Sequence, residues 1–370
     1  MKIPFMRLDR QFEQHKATIL ALCEQVFSHG MVLQGPEVAA LEDQLCSVMG
    51  TKHAVAVGSA TDALYFALIS ADVKSGDRVA VPAMTFVATA SPVIRAGAEP
   101  VFVDVGDDYQ PDVAKMIELV ESGSVQAVVA AHLYGQLFDL TPLAEACKAK
   151  NVMLIEDAAQ ALGATLNGAA PGEISDAATL SFDPMKIAGA FGSGGALVTN
   201  DRDVAERTRR LRYHGRDENR VYQELGYNSQ LASIQAAIVG FKLDHLDEWS
   251  ERRKDIAHRY TAVLDEISLA IPPRVLPGSH HVFHKYVLTV HDNRNRDRLK
   301  EHLSNAGVGT MVHYASPLHS EPLFAKYVDA GDKFPEAERI SKVALSLPIY
   351  PEMEDSEVDY ICEQLTNFNW

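Results

Sequence analysis

Lys186 lies in the segment SFDPMKIAGAFGSGGALVT, residues 181–199, beside Phe182, Pro184, Met185 and Ile187 and ahead of glycines 189, 192, 194 and 195. A lysine in apolar surroundings is held from water, which lowers its pKa and frees the amine to attack a carbonyl. The loop therefore suits a Schiff-base lysine. It also suits an ordinary lysine whose stem packs on the core while its ammonium reaches water. An aldehyde cofactor such as pyridoxal phosphate makes three further demands: an acid at the ring nitrogen, a cradle for phosphate and a flat group on the ring. Asp157, just after the apolar run VMLIE, supplies the acid or else caps a helix. In GSATDAL, 58–64, the residues Ser59, Ala60 and Thr61 open a helical pattern whose free N–H groups and dipole favour phosphate. Ordinary strand-to-helix turns share that look. Ser181 adds a hydroxyl from the lysine side. Phe86, alone in a turn of small residues, suits ring stacking or core packing, and Gln160 suits the ring hydroxyl or the substrate.

Other chemistries find less support. GAFGSGG lacks both the GxGxxG spacing and the Walker lysine, and it precedes a strand instead of opening a helix. There is no GxSxG elbow. His280, His281 and His284 have no cysteine or carboxylate cluster at ligand spacing, so no metal is expected. The formal net charge of -16 and the lack of a basic stripe argue against nucleic acid. Cys23, Cys46, Cys147 and Cys362 are widely separated and read as reduced thiols of a cytoplasmic protein. The opening MKIPFMRLDRQFEQHK has no signal-peptide core, and no apolar run reaches membrane length, so no membrane partner is expected.

The elements that must position these residues follow from periodicity. Short apolar runs at 54–57, 78–81, 100–105, 127–131 and 152–156 read as buried strands separated by helical patterns. The fold class is α/β, a mostly parallel sheet with helices on both faces. Each strand ends in a polar cluster (GSATDAL, PAMTFVATA, HLYG, EDAAQ), and ligands of open α/β sheets sit beyond those ends. Residues 179–182 and 195–199 read as an antiparallel pair bracketing the lysine loop. Helical patterns dominate residues 204–246. The charged stretch EWSERRKD is expected to precede a long helix, and HKYVLTV, VGTMVHY and a helix over 355–365 suggest a smaller α+β unit. The division is placed at 1–245 for a large domain and 246–370 for a small C-terminal one.

At this point the chain resembles the DegT/DnrJ/EryC1/StrS family of sugar aminotransferases, which are fold type I pyridoxal-phosphate enzymes. The resemblance runs in order through IPFMRLDRQF, LQGPEVAALE, GSATDAL, TFVATA, GAEPVFVDV, EDAAQALGA, SFDPMK with GSGGALVTN, LGYNSQLASIQAAI and LSLPIYPEM. It implies that Lys186 carries pyridoxal 5′-phosphate and moves the proton during transfer. It implies Asp157 as pyridinium partner, Gln160 near the ring oxygen and Phe86 as the stacking group. Ser59, Ala60, Thr61 and Ser181 correspond to phosphate binders, and Asn228 to a residue reaching the phosphate from a second subunit, hence a homodimer. Tyr213, His214, Arg216, Gln230, His313 and Tyr314 are the implied substrate wall. L-Glutamate is the implied donor, pyridoxamine 5′-phosphate the intermediate and a 3- or 4-keto nucleotide sugar the acceptor, feeding lipopolysaccharide or other glycoconjugates. A keto-sugar acid such as an 8-oxo-octulosonate is an alternative acceptor, and a cofactor-binding regulator without turnover is an alternative of another class. Two departures stand out: Ala60 brings a methyl where the family usually has glycine, and Gln230 brings no charge where arginine or lysine is common.

Overall fold

The computed structural model describes residues Met1–Trp370. In chain order the first part is α1 (Leu8–His29), α2 (Pro36–Met49), β1 (His53–Val57), α3 (Ala60–Ser70), β2 (Arg78–Pro82), α4 (Val87–Arg95), β3 (Glu99–Val103), α5 (Val113–Glu121), β4 (Ala127–Ala131), α6 (Thr141–Lys150), β5 (Met153–Asp157), β6 (Thr165–Leu166), β7 (Ala177–Ser181), β8 (Gly195–Thr199), α7 (Arg202–Arg212) and α8 (Ser233–Leu243). Every apolar run read as a strand forms one. Seven of these strands make a sheet in the order β1-β8-β7-β5-β4-β2-β3. The pairs β2–β3, β2–β4, β4–β5 and β5–β7 are parallel, whereas β8 runs antiparallel to β7 and to β1. The antiparallel pair bracketing the lysine loop is therefore present, and β8 is the one reversed strand.

The two-residue period of a strand divides the core. Val55, Val57, Val79, Val129, Ile155 and Leu197 bury one face under α3, α4 and α7, through Leu64, Phe66, Val93 and Leu211. Ala54, Ala56, Ala196 and Val198 turn the other way, onto Leu41 and Leu45 of α2 and Val239 of α8. Further along that face Val128, Ala130 and Leu154 meet Met116 of α5 and Leu143 of α6. A sheet buried on both sides needs continuous apolar runs, which is why alternation is absent from the sequence here.

The second part is α9 (Leu246–Leu264), β9 (Ala270–Ile271), β10 (Ser279–His280), β11 (Tyr286–Val290), α10 (Asn293–Asn305), α11 (Pro335–Val343), β12 (Ala344–Leu347) and α12 (Asp355–Thr366). An antiparallel sheet β12-β11-β9 packs Tyr286, Leu288 and Leu345 against Tyr260, Leu303 and Ile361, and Ile3 from the chain start joins that core. This part closes on the C-terminal edge of the large sheet. Leu318 N–H donates to Ala83 O at 2.7 Å, Glu336 and Ala337 N–H donate to the Asp104 carboxylate at 3.0 and 2.9 Å, and Lys285 N–H donates to Tyr134 O at 3.2 Å.

Two expectations are corrected. Helix does not run through 204–246, because 213–232 folds into an irregular loop between α7 and α8. Gly215 and Gly226 bring its two arms together so closely that a Cβ on Gly215 would lie 1.8 Å from Glu224 O, and the loop is bridged at Tyr213–Asn228 and Arg216–Tyr222. EWSERRKD lies inside the long helix α9, where Lys254 pairs with Glu251 at 2.6 Å and Arg252 with Asp255 at 2.8 Å along the exposed face. VGTMVHY does join the second part as expected, through isolated bridges at Val308–Ile3 and Met311–Ser346.

Candidate active site

The ends of β1, β2, β4, β5 and β7 reach one edge, and the reversed strand β8 begins there. A cavity of about 380 Å³ opens along this edge. Ser59, Ala60, Thr61, Phe86, Asp157, Gln160, Ser181 and Lys186 line it from the large sheet, with His313 and Tyr314 facing them from the second part.

The lysine loop is built by its own backbone. Phe182, fully buried, donates its N–H to Gly194 O at 2.9 Å and accepts from Ala190 N–H at 2.8 Å, which ties the two ends of the loop together. Between them Lys186 N–H donates to Asp183 O at 2.8 Å. Gly189 is needed where the loop winds back, since a Cβ there would meet Asp183 O at 2.4 Å. The Lys242 ammonium, itself buried, donates to Gly189 O at 2.5 Å. Lys186 is half-buried, and burial lowers its amine below the ordinary lysine range against the upward pull of Asp157 and Asp183. It is not a solvent-reaching surface lysine; its side chain forms part of the cavity wall.

Asp157 is the last residue of β5, and no helix follows it, which removes the capping alternative. Its Oδ2 accepts from Thr89 Oγ1 at 2.6 Å and its Oδ1 from Ala159 N–H at 3.1 Å, while Thr89 also meets Thr85 Oγ1 at 2.8 Å. A carboxylate held from both oxygens has a fixed aim. Phe86 is 53% exposed, so it is no core residue; its ring lies 6.1 Å from that of Tyr314. Gln160 Oε1 accepts from Tyr134 N–H at 3.1 Å and its Nε2 donates to Tyr314 OH at 2.9 Å, joining the sheet edge to the second part.

At the other end of the cavity Ser59 caps α3, its Oγ accepting from Asp62 N–H at 3.1 Å. The Ala60 and Thr61 N–H groups of the first turn have no acceptor within the helix. A Cβ on Gly195 would stand 2.3 Å from Ala60 N, so glycine is what lets β8 press against this turn. Ser181, buried, accepts from Asp183 N–H at 3.3 Å. These features fit pyridoxal phosphate: free donors for the phosphate at one end, a clasped carboxylate, an exposed ring for stacking and a lowered amine between them.

Tyr213, His214, Arg216, Asn228 and Gln230 do not reach this cavity. They sit on or beside the 213–232 loop, where Gln230 Oε1 accepts from Gln34 Nε2 at 2.9 Å, Gln230 Nε2 donates to Asn228 Oδ1 at 3.2 Å, and the Arg216 guanidinium lies 4.6 Å over the Tyr213 ring. Conversely, Thr89, Tyr134 and Lys285 belong to the site and are missing from the sequence reading, and His284, weighed there only as a metal ligand, lines the cavity. Tyr134 OH donates to His313 O at 2.6 Å, and Gly135 allows the close approach of 282–285, since its Cβ would meet His284 N at 2.8 Å. Lys285 carries the same sign that exposes Lys186, a lysine entering an apolar run. Burial pushes the His313 imidazole down to about 3, so the ring is neutral and takes part as a hydrogen-bonding group, with Nδ1 2.8 Å from Ser346 Oγ.

Comparison with known proteins agrees with this arrangement. The pattern of the DegT/DnrJ/EryC1/StrS aminotransferase family matches residues 13–366. A protein named pleiotropic regulatory protein from Geobacillus stearothermophilus is 39% identical over 100% of this chain and 99% of its own. The dTDP-3-amino-3,4,6-trideoxy-alpha-D-glucose transaminase of Streptomyces venezuelae is 36% identical over 95% of this chain and 92% of its own. NtdA of Bacillus subtilis, solved with bound cofactor PMP, superposes with a TM-score of 0.90 at 28% identity, covering 98% of this chain and 84% of that one. The chain is a member of the DegT/DnrJ/EryC1/StrS aminotransferase family.

Proposed function

We propose that this protein transfers the amino group of L-glutamate to a keto-sugar with pyridoxal 5′-phosphate as cofactor. The observation that carries the reading is the lowered Lys186 amine sharing one cavity with the doubly held Asp157. Bound there, the cofactor supplies the electron sink that makes a carbon–hydrogen bond beside nitrogen acidic. Lys186 Nζ, whose amine burial lowers below the ordinary lysine range, would hold the cofactor and move the substrate proton during transfer. Asp157 would face the ring nitrogen. Ala60 and Thr61 N–H, with the Ser59 and Ser181 hydroxyls, would bind the phosphate, and Phe86 would stack on the ring. Gln160, which donates to Tyr314 OH, would lie near the ring oxygen, and His313 and Tyr314 would face the sugar.

A nucleotide-linked 3- or 4-keto sugar is the preferred acceptor, supported by the dTDP-sugar relative, with lipopolysaccharide or another glycoconjugate as the destination of the amino sugar. A keto-sugar acid is the second reading, favoured by Lys285 in the cavity wall. The regulatory name of one relative raises binding without turnover, but a lowered amine beside a clasped carboxylate supports catalysis. A homodimer would bring Asn228 of a second copy to the phosphate. Asn228 is exposed, and Val221, Tyr222 and Leu225 beside it present apolar surface, 81% exposed at Leu225. The 1–245 and 246–370 division and a cytoplasmic location complete the reading; no helix is long and apolar enough to cross a membrane. L-Glutamate should bleach the visible band of the purified protein with release of 2-oxoglutarate. A band that persists, or a wild-type protein without cofactor, refutes the reading.

A further inference from the structure

Four lysine and arginine side chains are buried: Arg212, Lys242, Arg253 and Lys285. Three of them donate to protein oxygens. Arg212 meets Glu42 and Ala56 O, Lys242 meets Gly189 O, and Arg253 meets Ile349 O at 2.6 Å. Lys285, 7% exposed, has no ion pair and no side-chain acceptor; its Nζ lies 4.9 Å over the Phe5 ring and its side chain lines the cavity with Lys186. An ammonium on a buried stem that reaches only the cavity and meets no protein acceptor is poorly compensated, and an anion in the cavity relieves it. The cofactor phosphate is in the wrong place for that task. Its cradle stands at the end of β1, whereas Lys285 is tied through Tyr134 O to the loop after β4. Strands β8, β7 and β5 intervene, a separation of about 19 Å along the edge at the usual strand spacing. Lys186 and Asp157 lie between the two.

We propose that Lys285 receives a carboxylate of the substrate, supplied by the amino donor or by an acidic keto-sugar, on the opposite side of Lys186 from the phosphate. The inference rests on the aminotransferase reading. The surroundings suit it: His284 and His313 are neutral, Arg253 is occupied by Ile349 O, and Asp183 is exposed to solvent. Lys186 and Arg253 disfavour the charged form of Lys285 and Asp183 favours it, but burial is the largest influence. Asp157 and Asp183 also line the cavity but neither pairs with Lys285, so a substrate carboxylate brings it a direct countercharge and binds more tightly than a neutral isostere.

The test uses holoprotein of wild type, Lys285→Met and Lys285→Arg, checked first for the same cofactor absorbance. Half-reactions are followed with L-glutamate as donor, then with a neutral and a uronate-type keto-sugar as acceptors. Loss of a charge-assisted hydrogen bond should raise KM in Lys285→Met about 30-fold, with kcat within about three-fold and Lys285→Arg near wild type. A rise confined to glutamate assigns the contact to the donor, and one confined to the uronate assigns it to the acceptor. Unchanged KM for both in Lys285→Met overturns the proposal. Calorimetry with 2-oxoglutarate and with the uronate reads the same contact without turnover, so an inactive wild type sinks the functional reading alone. Equal affinities of wild type and Lys285→Met for both ligands sink the Lys285 contact.

Discussion

Lys285→Met should make the cofactor-free protein more stable, and by an amount that depends on pH. Burial takes the Lys285 amine from an ordinary 10.5 down to about 7, a difference of 3.5 units. At about 1.4 kcal/mol per unit this is a penalty of roughly 5 kcal/mol for carrying the charge in the folded state. Relaxation and water entering from the cavity reduce it to about 2 to 3 kcal/mol. The sign follows from which state binds more protons. Below pH 7 both states are charged and the folded one bears the full penalty. Between 7 and 10.5 the unfolded chain still holds its proton while the folded one does not, so wild-type stability rises with pH through that window. The gain from methionine is therefore complete at pH 6 and falls to about a third at pH 10. His284 and His313 stay neutral across the window, because burial holds both far below the usual histidine range. For a chain of this length the shift in Tm is about 3 °C at pH 6 and about 1 °C at pH 10. Scanning calorimetry at the two pH values reads it. A gain that is the same at both would mean that Lys285 packs as a solvated lysine and that its unpaired charge is not a feature of the cavity.

Other perturbations reach different parts of the site. Thr89→Val removes one of the two groups holding Asp157, worth about 1.5 to 3 kcal/mol, and should weaken cofactor retention ten-fold or more by roughly that amount, with Thr89→Ser close to wild type in spectral titration. Gly195→Ala puts a methyl against Ala60 N and must part β8 from α3, destabilising the fold by about 1 to 3 kcal/mol and loosening the phosphate; denaturant melts with and without cofactor separate the two effects. Lys186→Ala and Asn228→Ala, each impaired alone, should regain activity when unfolded and refolded together if Asn228 acts across a dimer, since one site in the mixed pair is intact; no gain over the separate proteins counts against sharing.

The sheet was legible because burial on both faces demands uninterrupted apolar runs, and these bound the strands to within a residue or two. The candidate site was legible where chemistry follows a strand end, as at Ser59, Asp157 and Lys186. Choices between alternatives needed space: that no helix follows Asp157, and that Phe86 faces the cavity, depend on neighbours distant in the chain. Thr89 was hidden because a threonine in a helix gives no local sign that a carboxylate 68 residues away accepts its hydroxyl. Lys285 bears a local sign, a lysine entering an apolar run, but HKYVLTV reads fully as a strand, and only closure of the second part on the loop after β4 brings it to Lys186. The 213–232 loop misled for the opposite reason: helical periodicity extends on both sides, while Gly215 and Gly226 allow a backbone approach that periodicity does not register.

The central claim is that Lys186, among all the lysines, carries the cofactor. Borohydride reduction of the purified protein followed by peptide mass mapping tests it directly. The account predicts a single adduct on the peptide containing Lys186, lost in Lys186→Ala while Lys242 and Lys285 remain unmodified. An adduct on Lys285 or Lys242 in the wild type, or none on any lysine of a protein that has kept its cofactor, would contradict it.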